Sequence, residues 1–184
     1  NTDKEKEDVI PPVIEGTLDM ELEKNTEFNL LDGVTAIDLV DGDVTVVAGS
    51  SLTVENNAAL RQIDDAAVNT GNIIVKRNAT VMNRLDYTAW STPVIGQQLQ
   101  AFSPNTVSTR FYEYLFTGTT TPTAYQSVDA STNFVAGKGY MIRADDTYTG
   151  PTVFNGQFTG VPINGTVNQS VGLGYNVLGN PYPS

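Results

Sequence analysis

The sequence predicts an all-β protein whose main unit is an antiparallel β-sandwich or a jelly-roll-like fold. Charged residues make up only 17% of the 184 residues, and Thr, Ser, Asn and Gly replace them. Turn-forming Gly, Pro and Asn recur about every 8–12 residues, as they do in sandwiches and barrels. Between these turns, β-branched and aromatic residues alternate with polar ones, and no stretch of 12 residues has helical periodicity.

The N-terminal region is strongly acidic. Residues 1–43 hold thirteen of the 21 acidic side chains but only three of the 10 basic ones. Residues 1–10 lack apolar periodicity, which predicts a solvated acidic linker. Pro11 and Pro12 then stiffen the chain, and residues 18–23 alternate apolar and acidic side chains like a strand with one buried face. The sequence therefore predicts a separate β segment over residues 11–48.

The main unit is predicted to span residues 49–184, directly after this segment. Its strands are assigned from apolar runs between turns. They are expected at residues 44–47, 51–54, 58–60, 72–77, 79–87, 110–116, 134–143, 152–159, 165–171 and 175–178. The first of these strands lies at the boundary between the acidic segment and the main unit. Gly137 and Gly139 predict a bend or bulge within the 134–143 run.

The composition excludes several classes of function. There is no Cys and no His, which excludes disulfides, a Cys nucleophile, a Cys/His zinc site and a Ser-His-Asp triad. A net charge of −11 opposes binding to nucleic acid. No run of 18 apolar residues exists, so no membrane span is predicted. An enzyme would depend on carboxylates, Lys or Tyr for proton transfer, and the spacing of these residues shows no catalytic constellation.

One candidate metal site lies near the predicted domain boundary. Asp38, Asp41 and Asp43 occur within six residues around Gly42. Several carboxylate oxygens on a turn are what Ca²⁺ requires, although the spacing lacks the complete EF-hand pattern. The sequence thus indicates a candidate Ca²⁺ site, and the alternative is a turn of solvated Asp side chains.

A second candidate site is aromatic. A sugar-stacking platform is one interpretation of Tyr87, Trp90, Tyr112, Tyr114 and Tyr140. The polar residues beside them, which would orient sugar hydroxyls, are Arg84, Asp86, Arg110 and Arg143. The alternatives are that the aromatic side chains fill the core and that the charged ones form ion pairs at the rim of the sandwich.

The acidic segment contains residues typical of a known repeat. Pro11-Pro12-Val13-Ile14, followed by residues 33–38 and 40–45, resembles the first half of a bacterial immunoglobulin-like repeat. Such repeats form stalks on cell-surface proteins. A complete immunoglobulin sandwich needs about 100 residues, so this resemblance implies a partial Ig-like segment.

Residues 50–184 carry a second resemblance. Its main motifs are residues 52–58, 69–77, 84–94, 110–114, 137–144, 154–162 and 174–184. Together they resemble a recurring β-rich region of secreted and surface proteins of Flavobacteria and other Bacteroidetes, of the kind exported by the type IX secretion system. The resemblance implies an extracellular or cell-surface location and a longer multidomain chain. It implies no residue roles.

The expected function is therefore that of a non-catalytic module, an adhesin or a structural spacer, in a secreted or cell-surface bacterial protein. The alternative is a carbohydrate-binding accessory module of a polysaccharide-processing system. The expected partner is an extracellular glycan or another surface protein, and Ca²⁺ is the one candidate cofactor. A third alternative is an enzyme that uses carboxylates alone, drawn from Asp86, Glu113, Asp145 and Asp146.

Overall fold

The computed structural model describes residues 13–15, 35–40, 42–114, 125–172 and 174–184. In chain order its elements are β1 Val13–Glu15, β2 Thr35–Val40, β3 Thr53–Val54, β4 Ala59–Gln62, β5 Ile73–Met82, β6 Tyr87–Trp90, β7 Val94–Ile95, α1 Leu99–Phe102, β8 Phe111–Tyr114, β9 Tyr125–Ser127, β10 Tyr140–Arg143 and β11 Thr152–Pro162. The predicted all-β sandwich is confirmed. Within the part of the chain that the structure describes, no helix is long and apolar enough to cross a membrane.

Two four-stranded sheets build the sandwich. The first sheet has the order β3-β5-β11-β7, with β5 and β11 antiparallel along most of their length. The second sheet has the order β6-β10-β8-β9 and is antiparallel throughout. A third, smaller sheet joins β1, β2 and β4, and its β2–β4 pair is parallel.

The core lies between the first and second sheets. The first sheet contributes Val75 and Phe158, which are paired in register, and the second contributes Phe111 and Ile142, also paired. These four side chains are at most 1% exposed. Phe102 of α1 reaches between the sheets, with its ring stacked 4.3 Å from that of Phe158. Alternation along each strand therefore places one row of side chains inside and the next row outside.

Gly156 explains how the ring of Phe102 fits against the middle of β11. A Cβ atom at this position would lie 2.9 Å from the Phe102 ring and 2.7 Å from the carbonyl oxygen of Arg77. Any larger residue would force either the ring or the β5–β11 pairing to move. A glycine within a strand commonly marks such a close approach.

Hydrogen bonds cross the predicted boundary between residues 48 and 49. Val46 N donates to Thr70 O and Thr70 N donates to Val44 O, each at 2.9 Å. Val44 is itself part of the buried core. Of the predicted Ig-like segment, residues 11, 12, 16–34 and 41 lie outside the described residues, as does the predicted linker over residues 1–10.

Several strand predictions were wrong in detail. Residues 72–77 and 79–87 were expected as two strands, but residues 73–82 form the single strand β5, and β6 begins after a turn. Residues 165–171 and 175–178 form no strand, and among the described residues Leu178 makes only an isolated bridge to Lys138. The predicted bend is present at Gly137, which has φ +76°.

Candidate functional site

The second sheet divides the five predicted aromatic site residues between its two faces. Trp90 and Tyr140 are paired in register and face the core. Tyr87 lies three residues before Trp90 on β6, an odd spacing that turns it to the opposite face. Tyr112 and Tyr114 alternate with the buried Phe111 on β8 and therefore share that outer face.

The two inward residues belong to the hydrophobic packing. The ring centroid of Trp90 lies 4.9 Å from that of Phe102 and 5.6 Å from that of Phe154, both edge-on. Tyr140 is 2% exposed, and its hydroxyl accepts a hydrogen bond from Val135 N at 3.3 Å. A ligand that approaches the outer face would touch neither ring.

The outer face of the second sheet carries a cluster that we call the tyrosine face. It consists of Tyr87, Tyr112, Tyr114, Tyr125, Met141, Arg110 and Arg143. The rings of Tyr87 and Tyr112 lie 5.8 Å apart and those of Tyr114 and Tyr125 lie 5.4 Å apart, each pair edge-on. Tyr87 is 39% exposed and Tyr125 is 46% exposed. Aromatic rings on a face directed away from the core are available to a partner.

Tyr125 and Met141 are members of this face that were not predicted. Tyr125 pairs in register with Tyr114 across the β8–β9 hairpin, and Met141 pairs with Tyr112. The alternation rule could have identified Met141, because it follows the buried Tyr140 on the same strand. Tyr125 was recognisable only from the pairing of β9 with β8, which the sequence does not specify.

Arg110 polarises the centre of the tyrosine face. Its Nη1 atom donates a hydrogen bond to the Tyr112 hydroxyl at 3.0 Å, and this bond lowers the pKa of Tyr112. Partial burial raises the pKa of the neighbouring Tyr87, and the hydrogen bond that it shares with Tyr112 raises that pKa further. Arg110 therefore favours ionisation of Tyr112, whereas burial opposes ionisation of Tyr87.

The charged residues predicted beside the aromatic set bond to protein groups outside that charged set. Arg84 Nη1 lies 3.1 Å from Asp146 Oδ1, and Arg143 Nη2 lies 2.5 Å from the same oxygen. Asp86 instead accepts a hydrogen bond from Asn83 N at 2.7 Å within the turn before β6. The ion pairs agree with the alternative that these charges form rim interactions. The Arg84–Asp146 pair is exposed at both ends and therefore contributes little to stability, whereas the Arg143 side chain is only 10% exposed.

The acids that an enzyme would need are held by other contacts. Glu113 forms an ion pair with Lys138. Burial acts to raise the pKa of Asp145, but hydrogen bonds from Thr147 and Asn105 outweigh it and leave that pKa lowered. A general acid requires a shift in the opposite direction.

At the candidate metal site, the structure describes one of the three carboxylates. Asp43 Oδ1 accepts a hydrogen bond from Val68 N at 2.6 Å. Asp41 and the side chain of Asp38 lie outside what the structure describes. Within the described residues, no group of three Asp or Glu side chains is arranged to hold a metal ion. Binding of Ca²⁺ at this turn stays a prediction.

Comparison with known proteins gives a family and no activity. A family model described as "Domain of unknown function (DUF8693)" matches residues 5–184. No curated protein and no solved structure shows a match to the chain. The matched range includes both the acidic segment and the sandwich.

Proposed function

Because the chain belongs to the DUF8693 family, whose function is unknown, we propose its role from its surface. We propose that it is a non-catalytic adhesion module of a secreted or cell-surface bacterial protein. Its recognition surface is the tyrosine face of the second sheet. The resemblance of residues 50–184 to secreted proteins of Bacteroidetes supports the location.

The composition of the tyrosine face carries this proposal. Tyr, Met and Arg are the residues enriched at the centres of protein interfaces, whereas Lys and Glu are depleted there. The face holds four tyrosines, Met141 and Arg110, whereas Arg143 is only 9% exposed and pairs with Asp146. Tyrosine also supplies a large contact area at a low cost in side-chain entropy, because it has only two side-chain torsions.

Charge gives the face selectivity. The chain as a whole is acidic, with a net charge of −11. Arg110 on the tyrosine face donates to the hydroxyl of Tyr112, and no acidic side chain among the described residues pairs with Arg110. The face is therefore locally basic, which favours a partner surface with acidic or hydroxyl groups.

The ring angles favour a protein partner over a stacked glycan. The planes of Tyr87 and Tyr112 meet at 64°, and those of Tyr114 and Tyr125 meet at 76°. Rings at these angles form an uneven surface, which an uneven protein surface can match. An extended polysaccharide stacks best on rings that share one plane.

A carbohydrate-binding module is the second candidate. The observation that favours it is the set of phenolic hydroxyls next to the Arg110 guanidinium, since such groups can bond to sugar hydroxyls. Single sugar units could stack on single exposed rings, such as that of Tyr87 or Tyr125, without a flat platform.

Retention of coated beads tests the adhesion proposal. Fluorescent beads carrying the chain are passed over immobilised collagen, fibronectin, mucin and a glycan array. We expect retention on at least one protein surface, and we expect the Tyr112→Ala variant to lose most of it. The matched control is Tyr175→Ala, because Tyr175 is 79% exposed but lies outside the tyrosine face.

Each outcome separates the candidates. Retention on glycans alone, with the same loss in Tyr112→Ala, would replace the adhesion proposal with the carbohydrate-binding one. Retention that Tyr112→Ala and Tyr175→Ala weaken equally would reject the tyrosine face as the recognition surface. No retention on any surface would leave the spacer role and overturn adhesion.

A further inference from the structure

Among the residues that the structure describes, the longest strand has no strand neighbour along much of one side. Residues 152–162 form β11, which pairs with β5 along one edge. On the other edge, β7 pairs only with Val161 and Pro162. Residues 152–159 thus have a long second edge that no described strand covers.

The direction of the main-chain groups on this edge follows from two hydrogen bonds. Ile163 N donates to Pro93 O at 3.1 Å, and Thr159 N donates to Gln97 Oε1 at 2.7 Å, both away from β5. Main-chain groups of alternate residues in a strand point to the same side. Those of Asn155 and Gln157 therefore also point away from β5, and no described residue bonds to them.

A cleft of about 590 Å³ runs along this edge. Phe102 and Pro104, at and just after the end of α1, line one part, and Asp145 and Tyr148 line another. Asp145 is the one charged side chain among the described residues that line the cleft. Its lowered pKa keeps the carboxylate negative at neutral pH.

The strand also lacks the usual protection of a free edge. Natural edges carry charged side chains, especially Lys, or proline to prevent pairing with other chains. Residues 152–159 contain no charged residue and no proline. The sequence of this edge therefore does not oppose pairing with a further strand.

We propose that this cleft binds an extended peptide segment of a partner protein, which adds to β11 as a further strand. The main-chain groups of Asn155 and Gln157 pair with the peptide, and a basic side chain of the peptide meets Asp145. Strand addition of this kind takes its affinity from main-chain hydrogen bonds and its specificity from the side-chain contacts beside the edge.

Gln97 sets one end of this peptide site. Its side-chain oxygen already accepts a hydrogen bond from Thr159 N. The peptide therefore cannot pair with β11 beyond Gln157 towards the C-terminal end of the strand. From Gln157 the free edge continues to Thr152, past a register irregularity between Val153 and Asn155. This length accommodates about six extended residues at roughly 3.3 Å each.

A labelled strand-forming peptide provides the direct test. The probe is fluorescein-labelled Thr-Val-Lys-Val-Thr-Val with a blocked C-terminus, and its binding is followed by fluorescence polarisation. We expect the unmodified peptide to bind saturably. N-methylation of the alternate peptide amides that point towards β11 should abolish this binding. N-methylation of the other amides, which point away from β11, should leave it unchanged. Equal binding by both methylated peptides, or no binding at millimolar probe, would overturn the proposal.

Matched variants of the chain locate the site. Gln157→Pro removes the main-chain donor that faces the cleft and should weaken binding by about tenfold, whereas Gln157→Thr also loses the Gln side chain but keeps that donor and should bind normally. Asp145→Asn should weaken binding of the Lys peptide but not of the same peptide with Thr in place of Lys.

Amide hydrogen exchange gives an independent measure that needs no variant. The amide of Gln157 should exchange quickly in the free chain and be protected when the peptide is bound. If it is already protected in the free chain, the edge is covered and the proposal fails.

Discussion

Replacement of Phe158 by Ala tests how the sandwich is held together. The side chain is 1% exposed, and its ring stacks on Phe102 at 4.3 Å and lies 5.6 Å from the ring of Phe134. A buried Phe removes about 150 Å² of apolar surface from water, which at about 25 cal/mol per Å² is worth about 4 kcal/mol. This agrees with the roughly 3–5 kcal/mol that buried Phe→Ala changes cost. The expected fall in melting temperature is about 8–16 °C for a chain of this size.

Intrinsic fluorescence is a suitable assay because Trp90 is the only tryptophan and lies in the same cluster, 6.2 Å from Phe158. Urea unfolding of the wild type and Phe158→Ala gives the change in the free energy of unfolding. The control is Phe154→Ala, the same substitution at a partly buried ring, which should cost clearly less. A loss below about 1 kcal/mol for Phe158→Ala, or an equal loss in both variants, would refute this description of the core.

Three further predictions concern the tyrosine face, a turn and the metal site. The Tyr112 hydroxyl should ionise at a lower pH than a free tyrosine in an ultraviolet titration, and Arg110→Ala should raise its pKa; an unchanged titration would contradict the hydrogen bond between them. Gly71→Ala should cost more than about 1 kcal/mol, because Gly71 has φ +80° and its new Cβ would lie 2.0 Å from a carbonyl oxygen. Gly49→Ala, with φ +86° but no neighbour within 4 Å, should cost less, and equal losses would exclude the close contact as the cause. Millimolar Ca²⁺ should raise the melting temperature relative to EDTA in the wild type but not in Asp43→Asn, and identical curves for the wild type in both solutions would exclude a folding role for Ca²⁺.

The fold class could be predicted because it depends on local patterns. Alternation on β8 and the turn at Gly137 are both visible in the sequence. The strands that failed are those whose existence depends on a partner. Residues 175–178 have the composition of a strand, yet their pairing with other described residues is limited to the bridge of Leu178 to Lys138 and the hydrogen bond from Gly139 N to Val177 O. A strand needs a neighbour that pairs along its length, and composition does not reveal how far such a neighbour extends.

The one-turn helix α1 was missed because it is too short to show periodicity. Its four residues place Leu99 and Phe102 into the core, three positions apart. In a sequence of alternating strands, two apolar residues at this spacing give no distinct signal. The merging of two predicted strands into β5 has a similar cause, since Asn78 resembles a turn residue but pairs with Asn155 in the sheet.

The candidate site was predicted in part, and strand geometry explains why some of the predicted aromatic residues lie on the outer face and others in the core. The sequence grouped Tyr87 with Trp90 by proximity, but their odd spacing on one strand places them on opposite faces. Alternation separates two faces without saying which of them meets the core. That choice is made by Phe102 and Phe158, which come from other segments and pack against Trp90.

Nitration by tetranitromethane, read by mass spectrometry, tests the proposed role of the tyrosine face most directly. It compares the free chain with the chain bound to the surface that retains it. We predict that Tyr87, Tyr112 and Tyr125 are nitrated in the free chain and spared in the bound one. Tyr175 should be nitrated in both states and Tyr140 in neither. Equal nitration of Tyr87, Tyr112 and Tyr125 in the free and bound chain would contradict recognition through this face.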